Sequence, residues 1–395
     1  MIDLQKKQLA KFLLFTSLYF AEGIQLAITT ILVPLFLLNE NISPALTTIA
    51  ASTIMIPWAL KFIFGWIVES YRKINKKQYT LIGGLISAIA LIFLGLINPS
   101  SNIYTFILIL FIAQCGIGIL DVSMDAWAIT ETKKKERGKI NGSMMAGFFS
   151  GTAFGSAILT FIADQSTFPL AFVTAGIIIL SLMTIPIITK KPAQQKKQKT
   201  ISKLVLKEFR KKATLSLAIL LPIISINSGI ITLAAPIFMN IKLNLTVSHI
   251  GLITTVFTIS RVIGSLTGGA ISDKISRQKT LIFIIISTII FTVSLITVND
   301  WISMMLIYSL LGFFNGGLFT VLLASSMDIT SAKISAFQFS ILISLMNAGE
   351  LTGEFISGPV ITTLGFNGMF LFSAWILGPS LLFLYAIIKK GYFAH

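Results

Sequence analysis

The sequence predicts an all-α polytopic membrane protein with twelve transmembrane helices in two six-helix bundles. Three observations predict it. The 395 residues are 55% hydrophobic and only 12% charged, with a mean hydropathy of +0.88, too apolar for a surface that faces water. The apolar residues gather in segments long enough to cross a hydrocarbon core of about 30 Å, which takes roughly 20 helical residues. The cations sit in short clusters between those segments, a membrane-topology pattern rather than a nucleic-acid-binding face.

The predicted spans are 12–38, 46–69, 79–97, 103–130, 140–163, 168–189, 213–239, 246–271, 280–298, 302–327, 333–359 and 365–388. Several exceed the minimum, which permits tilt. The first reads as a retained span, since no small-residue cleavage site follows it. The longest polar stretch, "KKPAQQKKQKTISK", lies between spans six and seven, giving an N-terminal bundle 1–189, a basic linker 190–212 and a C-terminal bundle 213–395. With both termini in the cytoplasm, 28 of the 31 cations fall on the cytoplasmic side; Lys242 is outside, and Lys61 and Arg261 fall within spans. The single Cys115 excludes an internal disulfide and a cysteine metal cluster.

The two halves echo one another. "GWIVESYRK" follows the second span and "GGAISDKISRQK" the eighth, so Gly65 and Glu69 answer Gly269 and Asp273, with cations behind, Arg277 among them. "AIT" at 128–130 answers "DIT" at 328–330, with Gly116 and Gly316 at the same spacing. Weak internal symmetry of this kind fits two bundles that rock around a central path.

Charge inside the spans marks the candidate sites, because ionisable groups in lipid face a bundle interior or a wet path. Glu22 lies midway along span one with Gln25 three residues on; it is the leading coupling candidate, the alternative being a protonated interhelical hydrogen bond. Asp121 and Asp125 share a face of span four and serve either in coupling and gating or as interhelical hydrogen-bond partners. Lys61 either neutralises an acid or snorkels to the interface. Arg261, with its five-donor guanidinium, belongs to a substrate or salt-bridge network. Glu350 and Glu354 repeat the four-residue spacing in span eleven, beside a Gly349/Gly353 packing pair, and one of them can balance Arg261. Asn315, before Gly316 and Gly317, lines the path or relieves packing; Gly147, Gly151 and Gly155 form a packing stripe. Trp58 and Trp127 face a sugar or pack, and His249 reads as a helix-boundary residue.

The paired cytoplasmic loops resemble those of major facilitator superfamily transporters, although the first has Glu69–Ser70 where an acid followed by arginine is usual. "LYFAEGIQL" at 18–26, "IPWALKFIFGWIVES" at 56–70 and "DVSMDAWAITE" at 121–131 resemble the AmpG-like muropeptide permease and acetyl-coenzyme A transporter branch of that superfamily. The resemblance implies proton-driven import of anhydromuropeptides by alternating access.

The expected function is therefore secondary active transport of a small-molecule solute, with proton-coupled import of anhydromuropeptide or a related amphipathic solute as the reading the resemblance implies, uptake or export of another organic anion or drug-like molecule as the alternative, and a non-transporting receptor or scaffold behind both. No nucleophile–base pair, ATP motif or metal cluster is apparent, so no enzyme activity, catalytic residue, metal or cofactor is expected. The expected setting is a bacterial or archaeal inner or plasma membrane, as a monomer in contact with lipid and with no nucleic acid.

Overall fold

A computed structural model describes residues 8–70, 73–96, 102–132, 137–190, 208–330 and 335–390, with the side chains of 69, 70, 137–139, 141 and 335–337 excepted. Lys6, Lys7, Arg72, Lys133–Lys135, Lys333, linker residues 191–207 and the Glu69 side chain lie outside this description.

Eleven helices among the described residues are long and apolar enough to cross a membrane. They are α1 (Gln8–Asn39), α2 (Pro44–Val68), α3 (Lys76–Leu96), α4 (Ile103–Glu131), α5 (Gly142–Gln165), α6 (Phe168–Ile187), α7 (Lys212–Ile241), α8 (Val247–Lys274), α9 (Arg277–Thr297), α10 (Trp301–Asp328) and a 52-residue stretch, Gln338–Lys389. That stretch is broken at Gly365, whose φ of 67° and ψ of 179° leave the helix. A residue with a Cβ avoids that backbone region, so glycine sets the break and makes two spans, α11 (338–364) and α12 (366–389). The twelve expected spans are thus present, the last two joined by a kink instead of a loop.

Local chemistry fixes the helix ends. Asn102 accepts hydrogen bonds from the backbone N–H groups of Tyr104 and Thr105 at the start of α4, Thr167 caps α6 and Ser276 caps α9. Asp300 caps α10 through Ile302 and Ser303, and the Ser303 N–H and hydroxyl hold its carboxyl below the ordinary aspartate value. Asn41 after α1 and Asn244 after α7 both take the left-handed conformation, one of several features repeated between the halves.

Contact density divides the chain into two compact units. One comprises Met1–Asn41, Thr53–Lys197 and Thr246–Thr255; the other comprises Ile42–Ser52, Gln198–Leu245 and Val256–His395. Each unit contains the same glycine-mediated crossing. In the first, α1 and α5 meet so closely that a Cβ on Gly23 would collide with the Phe148 carbonyl, on Gly147 with Thr16, and on Gly151 with Phe20. In the second, α7 and α11 meet in the same way: Gly229 abuts the Glu350 carbonyl, Gly349 that of Pro222, and Gly353 that of Ile226. Lipid offers apolar side chains no hydrophobic reason to associate, so close backbone contact of this kind is what holds such helices together.

Candidate functional site

The crossing in the first unit places a polar cluster beside it. Glu22 precedes Gly23 on α1, Lys61 is on α2, and Asp121 and Asp125 lie one turn apart on α4. Lys61 Nζ is 2.7 Å from Asp121 Oδ2 and 3.6 Å from Glu22 Oε1. It also lies 3.4 Å from the centroid of the Trp58 ring, a cation–π contact. Tyr19 donates its hydroxyl to Asp125 Oδ1 at 2.6 Å, so the second aspartate has a partner of its own. Gln25 Oε1 accepts a long hydrogen bond from Ser87 at 3.4 Å. Among the buried atoms of the described residues that have no hydrogen-bond partner are Glu22 Oε2 and Gln25 Nε2, an acceptor and a donor one turn apart on α1.

Of the two readings open for Lys61, ion pairing fits the geometry, since its ammonium contacts two acids. Three carboxylates against one ammonium leave the cluster short of positive charge. A buried carboxylate without a cation or a proton is costly, so the deficit is a capacity for either. Trp127 is wholly buried and packs edge-on against Phe15 at 5.8 Å, a core position. Tyr19 and Trp58 were not legible as members of the cluster; the signal for Tyr19 was its place one turn before Glu22.

In the second unit the polar residues form a shorter chain. Asn315 on α10 donates to Ser228 on α7 at 3.1 Å, and Ser228 donates to Glu350 Oε1 on α11 at 3.1 Å. These three, with Ser225, line a small crevice whose other wall includes Leu318, Phe319 and Met346. Arg261 on α8 makes no ion pair within 4 Å of a carboxylate among the described residues; its guanidinium carbon lies 5.9 Å from the Phe319 ring. Glu354 is buried one turn beyond Glu350. Ser228 precedes Gly229 as Glu22 precedes Gly23, so the repeat places a polar side chain at the same point of each crossing. Asn227, also unforeseen, ties α7 to α12 through Ser373 at 2.8 Å.

The loop glycines and charges complete the inventory. A Cβ on Gly65 would meet Val122 at 3.6 Å, an ordinary contact, whereas one on Gly269 would press on Thr320 at 3.2 Å, so of the two Gly269 stands at the tighter approach. Arg277 donates to Asp273 Oδ1 and to Asp328 Oδ2, each at 2.7 Å, and to the Ser272 hydroxyl at 2.9 Å. Asp328, the acid of the "DIT" echo, is thus what the eighth-span loop grips. In the first unit Ala128 stands at that place, and Lys76 instead reaches the Ala126 carbonyl at 2.8 Å. Arg277→Ala is expected to lower the apparent Tm in detergent only slightly, by what about 1 kcal/mol accounts for, and less in high salt, because the acids it joins are partly exposed.

Comparison with known proteins agrees with this architecture. "Putative transporter AmpG 1" of Rickettsia bellii (strain RML369-C) is 25% identical over 398 residues, covering 93% of this chain and 96% of the relative. "Multidrug resistance protein MdtG" of Enterobacter lignolyticus (strain SCF1) is 23% identical over 337 residues, covering 81% of this chain and 78% of the relative. Relatives of both kinds therefore occur at low identity, and similarity alone does not select the AmpG branch. Among solved structures, a bacterial homologue of the human lysosomal transporter Spinster superposes with a TM-score of 0.78 at 13% identity over 98% of this chain and 97% of that one. The family model for the Major Facilitator Superfamily matches residues 15–226 and 217–392, nearly the whole chain. With twelve spans, a repeated glycine crossing and ionisable groups held between helices of each unit, the chain belongs to the major facilitator superfamily.

Proposed function

We propose that the protein is a proton-coupled secondary transporter of an amphipathic, drug-sized organic solute, working by alternating access, with Glu22, Lys61, Asp121 and Asp125 as the proton-exchanging network. The observation that carries this reading is the buried surplus of carboxylates around Lys61. Such a cluster stores a proton at low cost and releases it when its hydration or its cation contacts change. Glu22 is the preferred proton-binding member, because one of its oxygens is buried without a donor. In the second unit, Arg261, Asn315 and Glu350 are the preferred solute contacts, as polar groups placed within the apolar spans of that bundle.

A second reading, import of anhydromuropeptide, is favoured by the motif resemblance at 18–26, 56–70 and 121–131 and by the AmpG-type relative that spans 93% of this chain. Both readings place the N-terminus and the C-terminus in the cytoplasm, on the strength of the cation distribution.

The test is uptake or extrusion by proteoliposomes under imposed proton gradients, with an anhydromuropeptide and a panel of drug-like cations and anions. Gradient-dependent accumulation is expected for one class and is expected to collapse in Glu22→Gln, while exchange down a solute gradient persists. Equilibration that ignores the gradient rejects proton coupling; no flux of any class by folded protein rejects transport of these solutes.

A further inference from the structure

Lys61 sits in a place built for an ammonium. Its Nζ rests on an aromatic face at 3.4 Å, with carboxylate oxygens at 2.7 and 3.6 Å. That combination of indole face and acid is how proteins recognise the ammonium group of a ligand. The geometry points to a binding site for a solute's alkylammonium group on Trp58, between Asp121 and Glu22, in which Lys61 is a tethered occupant that the solute displaces.

Three further observations support the exchange. The first is charge: Glu22, Asp121 and Asp125 outnumber the one cation among them, so a solute's ammonium can take the place of the proton that the surplus otherwise holds. The second is an unfilled acceptor. Glu22 is only 2% exposed, yet its Oε2 receives no hydrogen bond. An ammonium brings three donors to such oxygens. The third is access and mobility. The Lys61 side chain is 21% exposed, against 3% for Glu22 and 6% for Asp121, so the Trp58–Lys61 edge is the open side of the cluster. The helix is also interrupted there: Pro57 supplies no backbone N–H, regular helix ends at Ala59 and resumes at Lys61, and Ile63 N–H turns back to the Leu60 carbonyl at 2.9 Å. A lysine on a long flexible stem just past such a break can swing out without disturbing the helix ends. Phe148, 6.5 Å from Trp58, extends the aromatic wall toward the body of the solute.

The proposal rests on the transport reading and deepens it by naming the charged group that the site accepts. Equilibrium binding tests it with no proton gradient, so its failure leaves the coupling reading to its own assay. Full-length protein in neutral detergent is titrated calorimetrically with phenethylammonium, and with 2-phenylethanol and 3-phenylpropionate as neutral and anionic counterparts. Only the ammonium is expected to bind saturably. Lys61→Ala is expected to bind it at least about tenfold more tightly, because an occupied site's apparent affinity rises when its occupant is removed. Trp58→Leu, with Lys61 retained, is expected to weaken it about tenfold, the loss of a desolvated cation–π contact. Trp58→Leu keeps every charge of the cluster and so provides a reading even if Lys61→Ala fails to fold. Binding of the anion as tight as that of the amine, no gain in folded Lys61→Ala, or no loss in Trp58→Leu overturns the assignment.

Discussion

Asp121→Asn is expected to destabilise the protein by roughly 3 kcal/mol and to reduce proton-driven accumulation at least about tenfold. The carboxylate makes the shorter of the two Lys61 contacts, 2.7 Å against 3.6 Å for Glu22, and its side chain is 6% exposed. Removing one member of a buried pair leaves the other without full compensation, and that penalty exceeds what the pair contributes net. The partial substitute is Glu22, which then holds Lys61 alone and loses its freedom to exchange a proton. Two comparisons separate this account from general damage. Asp125→Asn keeps an oxygen for the Tyr19 hydroxyl and leaves the ion pair intact, so it is expected to cost less than half as much. Asp121→Asn/Lys61→Met removes both charges of the pair and is expected to be more stable than Asp121→Asn alone, a favourable coupling in a double-mutant cycle. Apparent Tm in detergent and proteoliposome uptake are the measurements. Equal effects from Asp121→Asn and Asp125→Asn would sink the idea that Lys61–Asp121 is the central pair.

The fold was legible because its signals are one-dimensional. Segment length, apolarity and the placement of cations need no knowledge of what packs against what, and twelve spans follow from them. The intramembrane charges were legible as candidates for the same reason: Glu22, Lys61 and Arg261 stand singly, and Asp121/Asp125 and Glu350/Glu354 in pairs, within apolar sequence. Their pairing was not. That Lys61 answers Asp121 more closely than Glu22 depends on how α2 and α4 cross, and nothing in the residues near position 61 encodes that crossing. Arg261 shows the converse, since charge balance pointed to a glutamate partner, whereas its side chain lies over Phe319 and makes no ion pair with Glu350. Ser228 was invisible because a serine in a span is ordinary; only its place before Gly229, matched to Glu22 before Gly23, gives it meaning. The repeat also shows how the halves differ in chemistry. At one polar position the first unit carries an acid beside a lysine. The second carries a hydroxyl, with its acid moved to Glu350 on the facing helix, the place that Phe148 holds in the first unit.

Gly229→Ala is expected to be among the most damaging single-methyl changes in the second unit, alongside Gly264→Ala and Gly316→Ala, whose added carbons would also strike backbone carbonyls. The added carbon would overlap the Glu350 carbonyl oxygen and approach the rest of that peptide group, and the obstacle is backbone, which cannot rotate away. The usual cost of overpacking, about 1–3 kcal/mol, assumes that side chains yield. Here α7 and α11 must separate over a crossing also formed by Gly349 and Gly353, so the upper end of that range is expected, with a clear fall in apparent Tm. Gly378→Ala supplies the opposite sign: nothing lies within 4 Å of its added carbon, and alanine is preferred to glycine within a helix by up to about 1 kcal/mol. Function provides a second readout, because Ser228 and Glu350 flank the point of contact and hydrogen-bond at 3.1 Å. Parting the helices breaks that bond and leaves the carboxylate without its donor, so solute binding is expected to weaken even at temperatures where folded Gly229→Ala persists. Gly23→Ala, at the matching place in the first unit, would press on the Phe148 carbonyl and is expected to shift Glu22 in the same way. If Gly229→Ala and Gly378→Ala proved equally stable, close backbone contact would not be what holds these helices together.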